Sequence, residues 1–323
     1  MQRVSVLLLK VVATALLIYL SVHTVSLETL SARFANLHWG WMSLMLGVLA
    51  GQIALQATRW QTIVHAVGAP FSVTASQRIT YIAAFFNQTL PSTIGGDTAR
   101  IWLLAREQKA GWRFAAYSVF VDRAVGIFAL ALLVVVLLPW TFDLISDPLA
   151  RTTILLIGGG GVTGGLAFAA LSAGLKGWLN QFWLTRHFVA ASGILRALLA
   201  QPSRAAFVMG ASIVIHIATV FVAWTAARTI GTHLDFIVAM CLLPPVVLLA
   251  TIPVSIAGWG LREGLMITTF TLSGNDAGDA LAISLIMGAA NFAVGLCGGL
   301  IWLLTWPAGV ALSNQQSPPY ERR

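Results

Sequence analysis

Charged residues are scarce in this chain. Asp, Glu, Lys and Arg together make 9% of its 323 residues, against roughly a quarter in an average soluble domain. Hydrophobic residues make 58%, and mean hydropathy is +0.85. That balance excludes an ordinary soluble domain and points to an integral membrane protein. There are only two cysteines, Cys241 and Cys297, both inside apolar stretches; their spacing suits neither a metal nor a redox pair, so they read as packing residues. Acidic residues number 11 against 19 Lys and Arg, a net charge of +8. The cations form no dense run, which argues against nucleic acid and for a membrane surface. A D-x-D pair, a Walker loop and a thiol nucleophile are all missing, so no transferase, hydrolase or ATPase activity and no cofactor or metal is expected.

What is present is length of apolar sequence. A bilayer core of about 30 Å takes roughly 20 helical residues, and six stretches qualify: 4–26, 39–57, 114–138, 151–175, 204–230 and 279–305. The first carries Lys10 and is not closely followed by an A-x-A site, so it reads as a retained helix rather than a cleaved leader. Two further apolar stretches, 76–108 and 236–272, are each interrupted by proline and glycine.

Those interruptions match. Pro91-Ser92-Thr93-Ile94-Gly95-Gly96-Asp97 leading to Arg100 overlies Pro253-Val254-Ser255-Ile256-Ala257-Gly258 leading to Arg262, at an offset of 162 residues. Gly68 and Gly231 match at nearly the same offset. The chain reads as a duplicated unit of helix, helix, re-entrant helical hairpin, helix. Unit one is 1–140 with its re-entrant pair at about 76–108; unit two is 151–306 with its pair at about 236–272. Three full crossings per unit turn the second copy over, giving an all-α inverted repeat of six spans and two re-entrant pairs. Most cations, among them Arg3, Arg78, Arg106, Lys109, Arg113, Lys176, Arg186 and Arg196, then fall on one side, and Asp143, Asp147, Asp235, Asp276 and Asp279 on the other. Under the positive-inside rule both termini are cytoplasmic. Residues 176–202 mix Trp, Phe and Leu with spaced cations, as in a helix lying against anionic lipid headgroups. The tail, 307–323, reads as disordered and cytoplasmic.

Irregular backbone persists at membrane depth only where protein buries it or where it lines a wet cavity. Two such loops from opposed units would meet near the middle. The half-helices starting near Asp97 and Gly258 would present N–H groups and positive dipole ends there, with Arg100 and Arg262 adding full charge for a phosphate. Asp97 alone could simply cap its own helix and pair with Arg100. Asp122 and Arg123, inside the crossing 114–138, tilt the balance: an ionisable group there costs about 2.5–3.5 kcal/mol on insertion scales, so charges retained in such a place mark a pathway. With Glu263, these residues form one expected polar site. The glycines from Gly158 to Gly165, and Gly295 with Gly299, read as surfaces for close helix packing. His216 reads as an interhelical hydrogen-bonding residue.

Three ordered motifs carry a family resemblance. N-x-x-L-P-S-x-x-G-G-D-x-x-R (Asn87, Leu90, Pro91, Ser92, Gly95, Gly96, Asp97, Arg100), S-V-x-x-D-R (Ser118, Val119, Asp122, Arg123) and P-x-S-x-x-G-x-G-x-R-E (Pro253, Ser255, Gly258, Gly260, Arg262, Glu263) span most of the chain. Together they resemble the flippase-like transmembrane domain of bacterial lysylphosphatidylglycerol synthetases, and are similar to the membrane half of archaeal dolichol-phosphate glycosyltransferase-type proteins. Leu261 stands where usual members have valine.

The resemblance implies movement of a lipid with a modified or anionic headgroup between leaflets of the cell inner membrane, with the motif residues as the substrate-binding set. The soluble transferase domains of those relatives have no counterpart here, so headgroup transfer by this chain alone is not expected. The expected partners are a phosphate-containing membrane lipid and anionic lipids at the cytoplasmic face, with no nucleic acid. A homo-oligomer or a partner lipid-synthesis enzyme stays open. An intramembrane enzyme using Asp97 and Glu263, or an accessory subunit of a lipid or envelope-glycan assembly, are the alternatives.

Overall fold

A computed structural model describes residues 34, 37–90, 95–107, 111–173, 183–252 and 259–305. They form ten helices and no strand. In chain order these are α1 (Trp39–Ala66), α2 (Val73–Thr89), α3 (Gly95–Glu107), α4 (Trp112–Leu144), α5 (Pro148–Ala173), α6 (Trp183–Leu199), α7 (Pro202–Thr229), α8 (Phe236–Ala250), α9 (Leu261–Leu272) and α10 (Ala277–Thr305). Five of them, α1, α4, α5, α7 and α10, are long and apolar enough to cross a membrane. The multi-pass, all-α reading of the sequence therefore holds. The expected first span, 4–26, lies outside the described residues, as do Pro91, Ser92, Pro253, Ser255, Gly258 and the tail.

Each interrupted stretch becomes two helices packed on one another, α2 on α3 and α8 on α9. Their entrances are built alike. Gly68 and Gly231 follow α1 and α7 with φ of +73° and +71°, a left-handed turn that glycine adopts without steric cost. Four residues beyond each glycine stands the next helix's cap: Ser72 accepts from the Ala75 N–H, and Asp235 accepts from Ile237 and Val238. α8 stays helical through Pro244 and Pro245, both buried.

Small residues set the close contacts. A Cβ at Gly298 would run into the Tyr81 carbonyl, and one at Gly299 would meet the Phe85 ring at 2.9 Å, so α10 lies almost backbone to backbone on α2. α5 approaches α4 in the same way, Gly158 against Val134, Gly161 against Ala131 and Gly165 against Phe128. The largest apolar core joins α1, α4, α5, α7, α8, α9 and α10. α6 sits to one side. Its Ala191, Ile194, Leu195 and Leu198 pack on Ile63, Val121, Val125 and Val208, leaving Arg186 and Arg196 exposed.

Candidate functional site

Asp122 sits about a third of the way along α4, on its interior face, and is fully buried. Its carboxylate is held between two guanidinium groups. Arg59 of α1 donates Nε–H to Oδ1 at 2.9 Å, and Arg100 of α3 donates Nη2–H to Oδ2 at 2.9 Å. Arg59 also donates to Ser212 Oγ of α7 at 3.0 Å, which ties in a fourth helix. Trp60 supports this arrangement from below: Arg100 stacks on its ring with Cζ 4.1 Å from the centroid, and its indole N–H donates to Ser118.

At the residue after Asp122 the network reaches open space. Arg123 donates Nε–H to Asp97 Oδ2 at 2.7 Å, and Arg100 Nη1 lies 3.7 Å from Asp97 Oδ1. Three guanidinium groups thus meet two carboxylates, leaving one unit of positive charge uncompensated. Arg100 Nε and Nη1 are buried without a hydrogen-bond acceptor. An acceptorless buried donor is costly, and a cluster with surplus positive charge and spare donors suits an anion. The Arg123 side chain is 40% exposed, at the wall of a cavity of about 420 Å³ that Asp97, Ile101, Tyr117, Phe120 and His187 also line. Tyr117 Oη and His187 Nδ1 are hydrogen-bonded at 2.7 Å across it, joining α4 to α6.

Each helix start is tied to its own surroundings. Gly96 donates its N–H to Asn87 Oδ1 at 2.9 Å, and a Cβ at Gly95 or Gly96 would collide with α2, so the glycines press α3's N-terminus onto that helix. Gly260, at φ +81°, donates its N–H to Glu263 Oε2 at 2.6 Å. A side-chain acceptor thus takes one N–H at each helix start.

Arg262 and Glu263 form a second, separate network. Arg262 donates to Glu263 Oε1 at 2.6 Å and to Ser284 Oγ at 2.9 Å, while Ser284 donates to Glu263 Oε1. Ser284 lies 162 residues beyond Asp122, as Arg262 lies beyond Arg100. The same bond from the third helix to the fourth is made twice, with serine replacing aspartate and Glu263 supplying the charge. No hydrogen bond or ion pair among the described residues joins the two networks.

The structure therefore brings together Asp97, Arg100, Asp122 and Arg123, with Asn87, Gly95 and Gly96 fixing the helix that carries the first two. It holds Arg262 and Glu263 in a second cluster. The sequence reading missed Arg59, counted as a flanking cation but only 4% exposed, and Ser212, Tyr117 and His187. Arg59 followed by Trp60 near the end of an apolar run was the available signal; the others carried none. His216 does donate or accept across helices, with Nε2 2.9 Å from the Gly126 carbonyl. Among the described residues no cluster of His, Cys, Asp and Glu suits a metal ion.

Comparison with known proteins agrees with the architecture and the motifs. No curated protein matches the chain. The family described as lysylphosphatidylglycerol synthase TM region matches residues 7–299. The chain belongs to the lysylphosphatidylglycerol synthase transmembrane-region family.

Proposed function

We propose that the protein is a lipid transporter that moves a lipid with an anionic or modified headgroup, an aminoacylated phospholipid or a polyprenyl-phosphate-linked lipid, between leaflets. The observation that carries this reading is the cationic cluster: three guanidinium groups on two carboxylates, with acceptorless donors, of which Arg59, Asp122 and Arg123 stand on the apolar spans α1 and α4. Charges in such surroundings are expensive unless they serve a polar pathway.

The packing of helices supports an inverted repeat with α2–α3 and α8–α9 as re-entrant pairs. α2 lies on α10 as α8 lies on α4; α3 meets α4 as α9 meets α10; α1 meets α4 as α7 meets α10. Exchanging α1–α4 for α7–α10 returns the same set of contacts, with α1 against α7 at the centre. An arrangement of this kind lets one half rock against the other around a shared site. The site lies in the cell inner membrane, with both termini cytoplasmic and with α6 near anionic headgroups.

The enzyme reading finds less support. Glu263 already accepts from Gly260, Arg262 and Ser284, and Asp97 from Arg123, so neither carboxylate is poised as a base. The test is reconstitution into vesicles with a leaflet-selective lipid assay. Wild-type protein exchanges labelled lipid between leaflets without altering it chemically. An Arg100→Ala, Arg262→Ala variant that folds and still transports at the wild-type rate would remove the proposed site.

A further inference from the structure

The glycines of α5 serve two different purposes. Gly158, Gly161 and Gly165 let α4 approach closely, but a Cβ at Gly160 or Gly164 would meet nothing within 4 Å. A helix-interior glycine costs about 1 kcal/mol relative to alanine, and contact with α4 gives no reason for these two. Both form part of the floor of a second cavity, about 670 Å³, walled by Phe120, Ile127, Phe128, Phe168 and Phe188. Phe120 meets the Phe168 and Phe188 rings edge-on at 5.5 Å each, fixing the wall where α4, α5 and α6 converge.

This trough adjoins the first cavity. Phe120, Arg123 and Phe188 line both, and among the described residues Arg123 is the one charged residue on the trough's lining. A guanidinium therefore stands where a chamber containing Asp97, Tyr117 and His187 opens onto a smooth hydrocarbon surface. That sequence of surfaces matches an amphiphile with an anionic group at its neck. The cluster behind Arg123 has positive charge to spare, so charge complementarity selects an anion at that point. Guanidinium binds phosphate in two-point fashion, and an aminoacyl or hydroxyl headgroup would reach the few polar groups of the chamber beyond, Asp97, Tyr117 and His187.

We propose that one acyl chain of an anionic phospholipid lies in the α4/α5 groove over Gly160 and Gly164, with its phosphodiester on Arg123. The proposal deepens the transport reading and rests on it only for the class of lipid. It assigns the tail a protein surface of its own, so that the lipid is held by two subsites rather than by its headgroup alone.

The test uses the full chain in choline-phospholipid nanodiscs doped with phosphatidylglycerol that carries a diazirine midway along one tail. After irradiation, adducts are mapped by mass spectrometry. The expected result is enrichment on Ala124–Phe128 and Gly160–Leu171 over the outward face of α10, where Leu296, Leu300 and Leu303 are exposed and serve as an internal standard. In a Gly160→Leu, Gly164→Leu variant the groove adducts fall at least about tenfold while those on α10 stay unchanged. Even labelling of the two surfaces by the wild type overturns the proposal, and this arm needs no variant to fold. Undiminished groove adducts in a folded variant also overturn it. Equal groove labelling by phosphatidylcholine with the same tail probe overturns the anionic assignment. The map is independent of transport: groove adducts without leaflet exchange sink the transport reading alone, and leaflet exchange without groove adducts sinks the groove alone.

Discussion

The two interrupted helix pairs share a frame and differ in charge. In the first, Arg100 bonds to Asp122, and Asp97, Arg59 and Arg123 gather round to leave one positive charge over. In the second, Arg262 bonds to Ser284, and Glu263 on the next residue neutralises it. Trp259 stands where the first copy has Asp97, and stacks under Arg262 at 5.3 Å. Both pairs have the arginine and its bond to the following helix, while surplus charge and an open cavity belong to the first alone. Similar helix pairs can thus hold a cluster with charge to spare in one case and a self-contained clasp in the other.

Substitutions that exchange the two states should separate them. The largest effect is expected from Asp122→Ala, which leaves Arg59 buried without a counter-ion and Arg100 with only the Asp97 carboxylate at 3.7 Å; removing one partner of a buried pair typically costs about 3–5 kcal/mol. Thermal unfolding in detergent should show loss of the cooperative transition or a large fall in its midpoint. Next comes Glu263→Ala, which orphans Arg262 and the Gly260 N–H at once. Glu263→Gln keeps an acceptor for Gly260 and should recover part of the loss, with an unsatisfied buried group accounting for about 1–3 kcal/mol. The same melting assay reads the difference.

Gly96→Ala sharpens the comparison at the level of backbone. Its Cβ would strike Asn87 and the Ala83 carbonyl, and overpacking of this sort costs about 1–3 kcal/mol. Gly51→Ala meets nothing within 4 Å and serves as the matched control in the same melts. The smallest effect on stability belongs to Arg123→Gln. This side chain is 40% exposed, glutamine keeps an amide donor for Asp97, and Arg100 stays 3.7 Å from that carboxylate. Lipid exchange in vesicles should nevertheless fall about tenfold, since a guanidinium contact to an anion is worth on the order of 1.5–3 kcal/mol. Stability lost without a change in transport would reverse the roles assigned to the two copies.

Much of this was legible because charge is rare in the chain. Asp97, Arg100, Asp122 and Arg123 stand out from apolar surroundings, and the paired Pro-to-Arg interruptions fall where α2–α3 and α8–α9 are found. Helix ends were less so. The run 39–57 extends as α1 to Ala66, since the last turns are sealed by burial of Trp60, Ile63 and Val64 rather than by hydropathy. That extension is what turns Arg59 from a flanking cation into a core residue. The separation of Arg262 and Glu263 from the other charges was not legible, because distance between two halves depends on how helices cross. Nor was the Tyr117–His187 bond, whose partners are 70 residues apart and ordinary in composition.

The junction that links the halves is fastened at one end. Between α6 and α7, Gln201 donates to the Ala66 carbonyl at 2.8 Å and Arg204 to the His65 carbonyl at 2.9 Å, closing the free carbonyl end of α1. A connector so anchored cannot act as slack. If the halves tilt against each other, α6 travels with α1 as a single lever, and the pivot must be sought further along α7, where Thr219 meets Gln52 through one hydrogen bond at 2.8 Å.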